Sequence, residues 1–342
     1  MGNEEVKTGK SAYSMGNFGK AFFIGMLIFS PLLLQNNLYI LQVLIMCFIW
    51  GSVVGPWDLI FGYAGISSFG QIAFFTIGAF GSSIFSMKLG FSPWLALIAG
   101  ATAASLVGVL IGLPCLKLKG LYVAIVTFAL HMTLPALITA GRKIGTGGAN
   151  SLTGIPPLEL GGITFSVTNR VPAAFLAMGI FFISVIVVKL VIKSNIGLAF
   201  VALRDSETFG RCMGINDYKY KLIVFAISAF LAGLAGAFYA HYFGLISKRL
   251  LSLDVFVLLL VILITGGLGK FPGVLYATFI FTFLNEFLRP LEAYRPLIFG
   301  VITVLIIILM PEGITELKTH LDRVVSKFKG NPKKESGKAT GS

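Results

Sequence analysis

The stretch FGYAGISSFGQIAF, residues 61–74, decides how this chain folds. Glycines at 62, 65 and 70, two adjacent serines and a glutamine interrupt what is otherwise a continuous apolar run. In hydrocarbon an unpaired backbone amide or carbonyl costs several kcal/mol, so a broken helix persists there only against protein or a water-filled cavity. The residues on either side establish whether this segment lies at membrane depth.

They read as membrane. Of 342 residues, 56% are hydrophobic and 12% charged, against roughly 45–50% and about 25% in globular chains. Charge-free runs recur, among them 21–57, 59–87, 89–116, 120–141 and 222–247. About 20 mostly apolar residues cross roughly 30 Å of hydrocarbon. Spans are expected near 18–34, 38–55, 71–88, 94–113, 120–139, 171–192, 221–243, 254–268, 273–288 and 295–310. The fold class is therefore all-α: a polytopic transmembrane helical bundle of about 10 spans. Its discontinuous or re-entrant segments fall near 59–71 and 264–273.

The flanks read as a polar cytoplasmic N-terminus at 1–17, without the pattern of a cleavable signal peptide, and a basic cytoplasmic tail at 313–342 with the composition of a disordered segment. The transmembrane domain, 18–312, carries an external loop at 140–170 and a cytoplasmic loop at 193–220. With that orientation 19 Lys and Arg fall inside or at the inner edge and 8 outside, in the sense of the positive-inside bias. The net charge of +13 then matches anionic lipid rather than nucleic acid. Cys47, Cys115 and Cys212 have neither metal-site spacing nor an even count for disulfides, and read as free thiols.

Two readings of the opening stretch compete. Tyr63, Ser67, Ser68 and Gln71 offer hydrogen bonds to a solute passing a broken helix, or the small residues merely allow close helix packing. Asp58, just upstream in GPWD, is an ionisable group near membrane depth and so a functional candidate. A second glycine-rich break, TGGLGKFPG at 265–273, places Gly266, Gly267, Gly269 and Gly273 between two short apolar runs. Paired breaks in two halves are a feature of pseudo-symmetric transporters. By contrast Gly100, Ala104, Gly108 and Gly112, and later Ala229, Gly233 and Ala237, recur every fourth residue and predict helix–helix contact.

Residues 197–213 predict one short amphipathic helix, with Phe200, Leu203 and Phe209 among Arg204, Asp205, Glu207 and Arg211, stopped by Gly214 and Asn216. It reads as a surface connector or as a knob that enters a partner's groove. GLGK at 267–270 is not a phosphate loop, because Ile264 stands where the first glycine belongs and Phe271 where the hydroxyl does. His131, His241 and His320 are scattered, with no HExxH or GxSxG and no paired carboxylates in one span, which disfavours an enzyme. An ion-coupled carrier or self-sufficient channel stays open, though Asp58 is the sole acid suited to coupling.

Several motifs together resemble one family. GYAGISSFGQIAFFTIGAF at 62–80, GLYVAIVTFAL at 120–130, TGGANSLTGIPP at 146–157, residues 202–247 and ITGGLGKFPGVL at 264–275 are similar, in order, to the permeases of branched-chain amino acid ABC importers, closest to the LivM-type subunit. The resemblance implies a bacterial inner-membrane protein with both termini cytoplasmic. It implies two cytoplasmic ATPase subunits, a second permease of the LivH type, and a periplasmic substrate-binding protein. ATP and Mg would be used by the partner subunits, with no cofactor in this chain. Loop 193–220 becomes the ATPase-coupling segment, through Arg204, Glu207, Gly214, Ile215 and Asn216. The translocation pathway is expected at Asp58, Gly62, Tyr63, Gly65, Ser67, Ser68 and Gln71, and at Gly266, Gly267 and Gly269. Phe209 and Gly210 replace the usual small alanines, Asp58 an expected Asn, and His131 a frequent acidic residue. Related permeases take urea or short amides as well as branched-chain amino acids.

Overall fold

The computed structural model describes residues 30–115, 118, 120–148, 150–291, 294, 297–302 and 304. The segments 1–17 and 313–342 lie outside the described residues, as do most of the spans expected at 18–34 and 295–310. The other predicted spans coincide with helices: α1 (Leu38–Asp58), α2 (Gln71–Lys88), α3 (Pro93–Cys115) and α4 (Leu121–Ala140), then α5 (Arg170–Lys193). After two short loop helices, α6 (Asn195–Asp205) and α7 (Glu207–Cys212), come α8 (Asp217–Phe243), α9 (Leu253–Gly266) and α10 (Gly273–Phe287).

Among the described residues five helical stretches are long and apolar enough to cross a membrane: Leu38–Tyr63, Pro93–Cys115, Leu121–Lys143, Arg170–Lys193 and Asp217–Phe243. Leucines and isoleucines at 95, 98, 106, 110, 121, 125, 183, 186 and 190 are exposed on α3, α4 and α5. In water such a surface would aggregate, whereas in a bilayer it is the lipid-facing side. The chain is an all-α polytopic membrane bundle. At 1.5 Å per residue α9 and α10 extend only about 21 and 22 Å. Each is too short to cross alone, and they pack on one another about the 267–272 turn.

The four-residue stripes are a packing seam that locks α2, α3 and α8 together. A methyl group built on Gly233 would sit 2.4 Å from Ala104 Cβ, and one on Gly108 would sit 2.5 Å from Ala229 Cβ. On Gly78 it would sit 2.2 Å from the Gly233 carbonyl oxygen. Without side chains in the way the backbones approach closely, which is how helices gain packing energy in lipid.

Two small strand pairs, one of them a hairpin, close one end of the bundle. Strand β1 (Leu152–Thr153) pairs antiparallel with β4 (Leu245–Ile246), and β2 (Leu158–Leu160) pairs with β3 (Ile163–Phe165). Buried His241 ties this end to the helices, its Nδ1 2.7 Å from the Pro156 carbonyl and its Nε2 2.7 Å from Ser82 Oγ. Helices α6 and α7 occupy the opposite end.

The loop at 193–220 departs from the sequence expectation. The single helix predicted over 197–213 is two helices, α6 and α7, broken at Ser206, whose backbone is extended (φ −160°, ψ 108°). Its Oγ accepts the Phe209 amide at 3.2 Å, so this serine starts a new helix instead of continuing the old one.

Candidate functional site

Helix α1 does not end in a normal cap. Its last turn widens to a π-helix over Leu59–Tyr63, the Ala64 amide reaching back to the Leu59 carbonyl at 3.0 Å. Irregular backbone follows from 64 to 70 before α2 begins. The second break, between α9 and α10, turns through Gly267 and Gly269 at φ +88° and +70°. The structure brings the two breaks together.

Their contact is close and polar. Asp58 is fully buried, and its Oδ1 accepts the Gly269 amide at 2.8 Å. The Tyr63 hydroxyl accepts the Phe271 amide at 3.3 Å. A methyl group on Gly62 would lie 2.1 Å from the Gly269 nitrogen and 2.2 Å from Asp58 Oδ1. So a carboxylate and a phenol from the first break satisfy backbone donors that the second break leaves unpaired, as apolar surroundings require. The other Asp58 oxygen has no hydrogen-bond partner among the described residues.

Arg204, at the end of α6, joins the loop to this junction. Its Nη1 donates to the Gly62 carbonyl at 3.1 Å. Its aliphatic stem lies against Gly65, where a methyl group would meet Arg204 Cγ at 2.5 Å. Gly65 also holds φ +67°, a backbone region that side chains disfavour. Asp205 orients the guanidinium through its Nε and Nη2 at 3.1 and 3.0 Å. A cleft of about 210 Å³ opens beside the junction, lined by Gly65, Ser67, Cys115, Arg204, Glu207 and Lys221 among others.

The remaining predicted residues sit apart from that contact. Ser68 is buried and its carbonyl accepts the Trp57 indole N–H at 2.7 Å. Gln71 donates to the Val53 carbonyl at 3.1 Å and accepts from Ser228 Oγ at 3.0 Å, bolting α1 and α2 to α8. Gly266 packs on the start of α10, where a methyl group would sit 2.4 Å from Val274 Cα. His131 is buried between Phe128 and Phe256, with ring centroids 6.0 and 5.2 Å away. Cys47 and Cys115 are buried and Cys212 is exposed.

In the loop, Glu207 belongs to an ion cluster. Lys221 pairs with Glu207 at 2.7 Å, and Arg211 pairs with the nearly buried Asp217, also at 2.7 Å. Gly214 is left-handed at φ +79°, and Asn216 Oδ1 caps α8 by accepting the Lys219 amide at 3.1 Å. Ile215 is half-buried, its amide held by the Gly210 carbonyl at 3.0 Å. Phe200 and Leu203 face inward and are buried, so the apolar groups presented outward are Leu198, Phe209 and Met213. Sequence reading missed Leu198 and Met213 because it grouped Phe209 with Phe200 and Leu203, whereas Phe209 shares the outward side with these two. It also missed Lys221 and Asp217, although their spacing of four on α8 already marks a pair.

Comparison with known proteins gives the family. The family described as "Branched-chain amino acid transport system / permease component" matches residues 39–311. The high-affinity branched-chain amino acid transport system permease protein LivM of Escherichia coli is 30% identical over 279 residues, which is 75% of this chain. Its counterpart in Salmonella typhimurium is 27% identical over 278 residues, again 75% of this chain. The match spans 65% of the length of each of these relatives. The ribose import permease protein RbsC of Haemophilus influenzae is 27% identical over 264 residues, covering 72% of this chain and 76% of its own. No solved structure matches the chain.

Proposed function

Because this chain belongs to the family of branched-chain amino acid transport system permease components, we propose that it is the membrane subunit of an ATP-driven importer for aliphatic amino acids. It moves them by alternating access, and separate cytoplasmic ATPase subunits supply the energy. A second, LivH-type permease completes the membrane pair, and a periplasmic binding protein delivers the solute. The protein sits in a bacterial inner membrane with both termini, and α6–α7, on the cytoplasmic side.

One observation carries the reading: Arg204 of the loop holds the Gly62 carbonyl at the spot where the two broken segments touch. A push on α6–α7 is therefore applied directly to the junction of 58–65 with 267–271. In this state that junction is closed by backbone contact, so displacement of Arg204 is the event that separates the breaks. Exposed Leu198, Phe209 and Met213 offer the apolar face that an ATPase groove would cover. The ion cluster of Glu207, Arg211, Asp217 and Lys221 keeps that face rigidly attached to α8.

The test is uptake of radiolabelled leucine, isoleucine and urea into proteoliposomes holding this chain with its ATPase, second permease and binding protein. ATP-dependent uptake of the amino acids supports the importer. Uptake that ignores ATP points to a channel or carrier, and ATP-dependent uptake of urea alone replaces the substrate class.

A further inference from the structure

An open cavity of about 620 Å³ lies at the strand-pair end, bordered by α1, α8, α9, α10 and Phe299. It is distinct from the junction cleft at the other end. Trp50, Tyr239, Leu258 and Val261 line it, and Arg249 and Asp254 stand exposed at its rim. Arg249 is set on a tight 3-10 turn, Lys248–Leu251, and Asp254 in the first turn of α9. The turn is held at both ends: Ser247 Oγ accepts the Arg249 amide at 3.3 Å, and the Arg249 carbonyl accepts the Ser252 amide at 3.0 Å.

The two charges do not neutralise one another. Among the described residues neither Arg249 nor Asp254 takes part in an ion pair, although only four residues lie between them and both line one cavity. Small-molecule sites have volumes of roughly 300–1,000 Å³, mostly apolar walls and a few convergent polar groups. Here the charged groups are one cation and one anion, with Tyr239, Ser252 and Asn285 as further polar lining beside an aromatic and aliphatic wall. A neutral polar solute such as urea could hydrogen-bond to both groups but would compensate neither charge and leave the apolar wall uncovered. A zwitterion with an apolar side chain answers all three features, since guanidinium groups bind carboxylates by paired charge-assisted hydrogen bonds.

We propose that this cavity is a substrate-binding site that takes an aliphatic α-amino acid as its zwitterion. Arg249 holds the carboxylate, Asp254 holds the ammonium, and the side chain lies along Trp50 and Leu258. The assignment rests on the importer reading and adds a place and a charge pattern to it.

The experiment is equilibrium binding to the full-length chain in lipid nanodiscs. The probes are L-leucine, leucinol, which lacks the carboxylate, and 4-methylpentanoate, which lacks the ammonium. Arg249→Gln is expected to weaken leucine about tenfold, the scale of one charge-assisted hydrogen bond, and to leave leucinol unchanged. Asp254→Asn is expected to weaken leucine similarly and to leave 4-methylpentanoate unchanged. Leucine affinity unaltered in both variants overturns the site, as does equal loss of all three probes. In those cases ATP-driven leucine uptake by the wild-type complex still upholds the importer. A wild-type chain that binds no probe, in a complex that imports no amino acid, overturns both.

Discussion

A side chain at position 62 has nowhere to go. Its first carbon would lie 2.1 Å from the Gly269 nitrogen and 2.2 Å from Asp58 Oδ1, and those two atoms are themselves hydrogen-bonded. Gly62→Ala must therefore part the two breaks, at a cost of about 1–3 kcal/mol for overpacking. The expected outcome is a lowered Tm in detergent together with loss of ATP-driven uptake; a variant with wild-type values for both would remove the junction from the mechanism. Asp58 gives a graded companion. Asp58→Asn keeps an oxygen for the Gly269 amide and should fold normally. Asp58→Ala strands a buried donor and should cost about 1–3 kcal/mol, read as a lower melting temperature than that of the Asn variant. Arg204→Lys keeps the charge but loses the fork that spans Gly62 and Asp205. ATP hydrolysis should continue in that variant while uptake per ATP falls severalfold. Normal uptake per ATP would mean that Arg204 transmits nothing.

At the scale of elements, the molecule divides into a rigid seam and an articulated loop. The seam of α2, α3 and α8 depends on absent side chains, so Gly233→Val drives a branched group into Ala104 and Ala101. Loss of assembled protein on size-exclusion chromatography is expected, and Gly233→Ala should show a weaker form of the same defect. In the loop, Glu207→Lys sets a third cation beside Lys221 and Arg211. It should detach α7 from α8 and uncouple hydrolysis from transport while α1–α5 stay folded, as measured by ATPase rate, uptake and helical content. The seam was legible in the sequence because a four-residue period is a local pattern. The existence of both breaks was legible for the same reason: glycines, Ser67, Ser68 and Gln71 are conspicuous in oil. What no local pattern encodes is that Gly62 lies on Gly269 and that Arg204 reaches Gly62. Those contacts join residues more than a hundred positions apart, and tertiary packing alone sets them. Ser206 shows the limit even at short range, since a serine is acceptable inside a helix and only the chain's turn toward α8 makes it a cap.

The whole molecule presents two unlike ends, and its cysteines can tell them apart. The strand pairs and the charged rim of Arg249 and Asp254 mark one end; α6, α7 and the ion cluster mark the other. Of the three thiols, only Cys212 is exposed, at the end of α7 and next to Met213, while Cys47 and Cys115 are buried. A membrane-impermeant maleimide should therefore label a single position in the native chain. If α7 faces the cytoplasm, labelling is expected in inside-out vesicles and absent from intact right-side-out ones, with Cys212→Ser abolishing it. If α7 also meets the ATPase, assembly of the complex should shield that thiol, and ATP turnover should change the labelling rate as the interface works. Labelling from the outer side would invert the topology and with it the direction of every push described here. Labelling from the inner side that assembly leaves unaltered would keep the topology and displace the docking face from α7. The thiol thus reports on orientation and contact separately, without any change to the residues that hold the two breaks together.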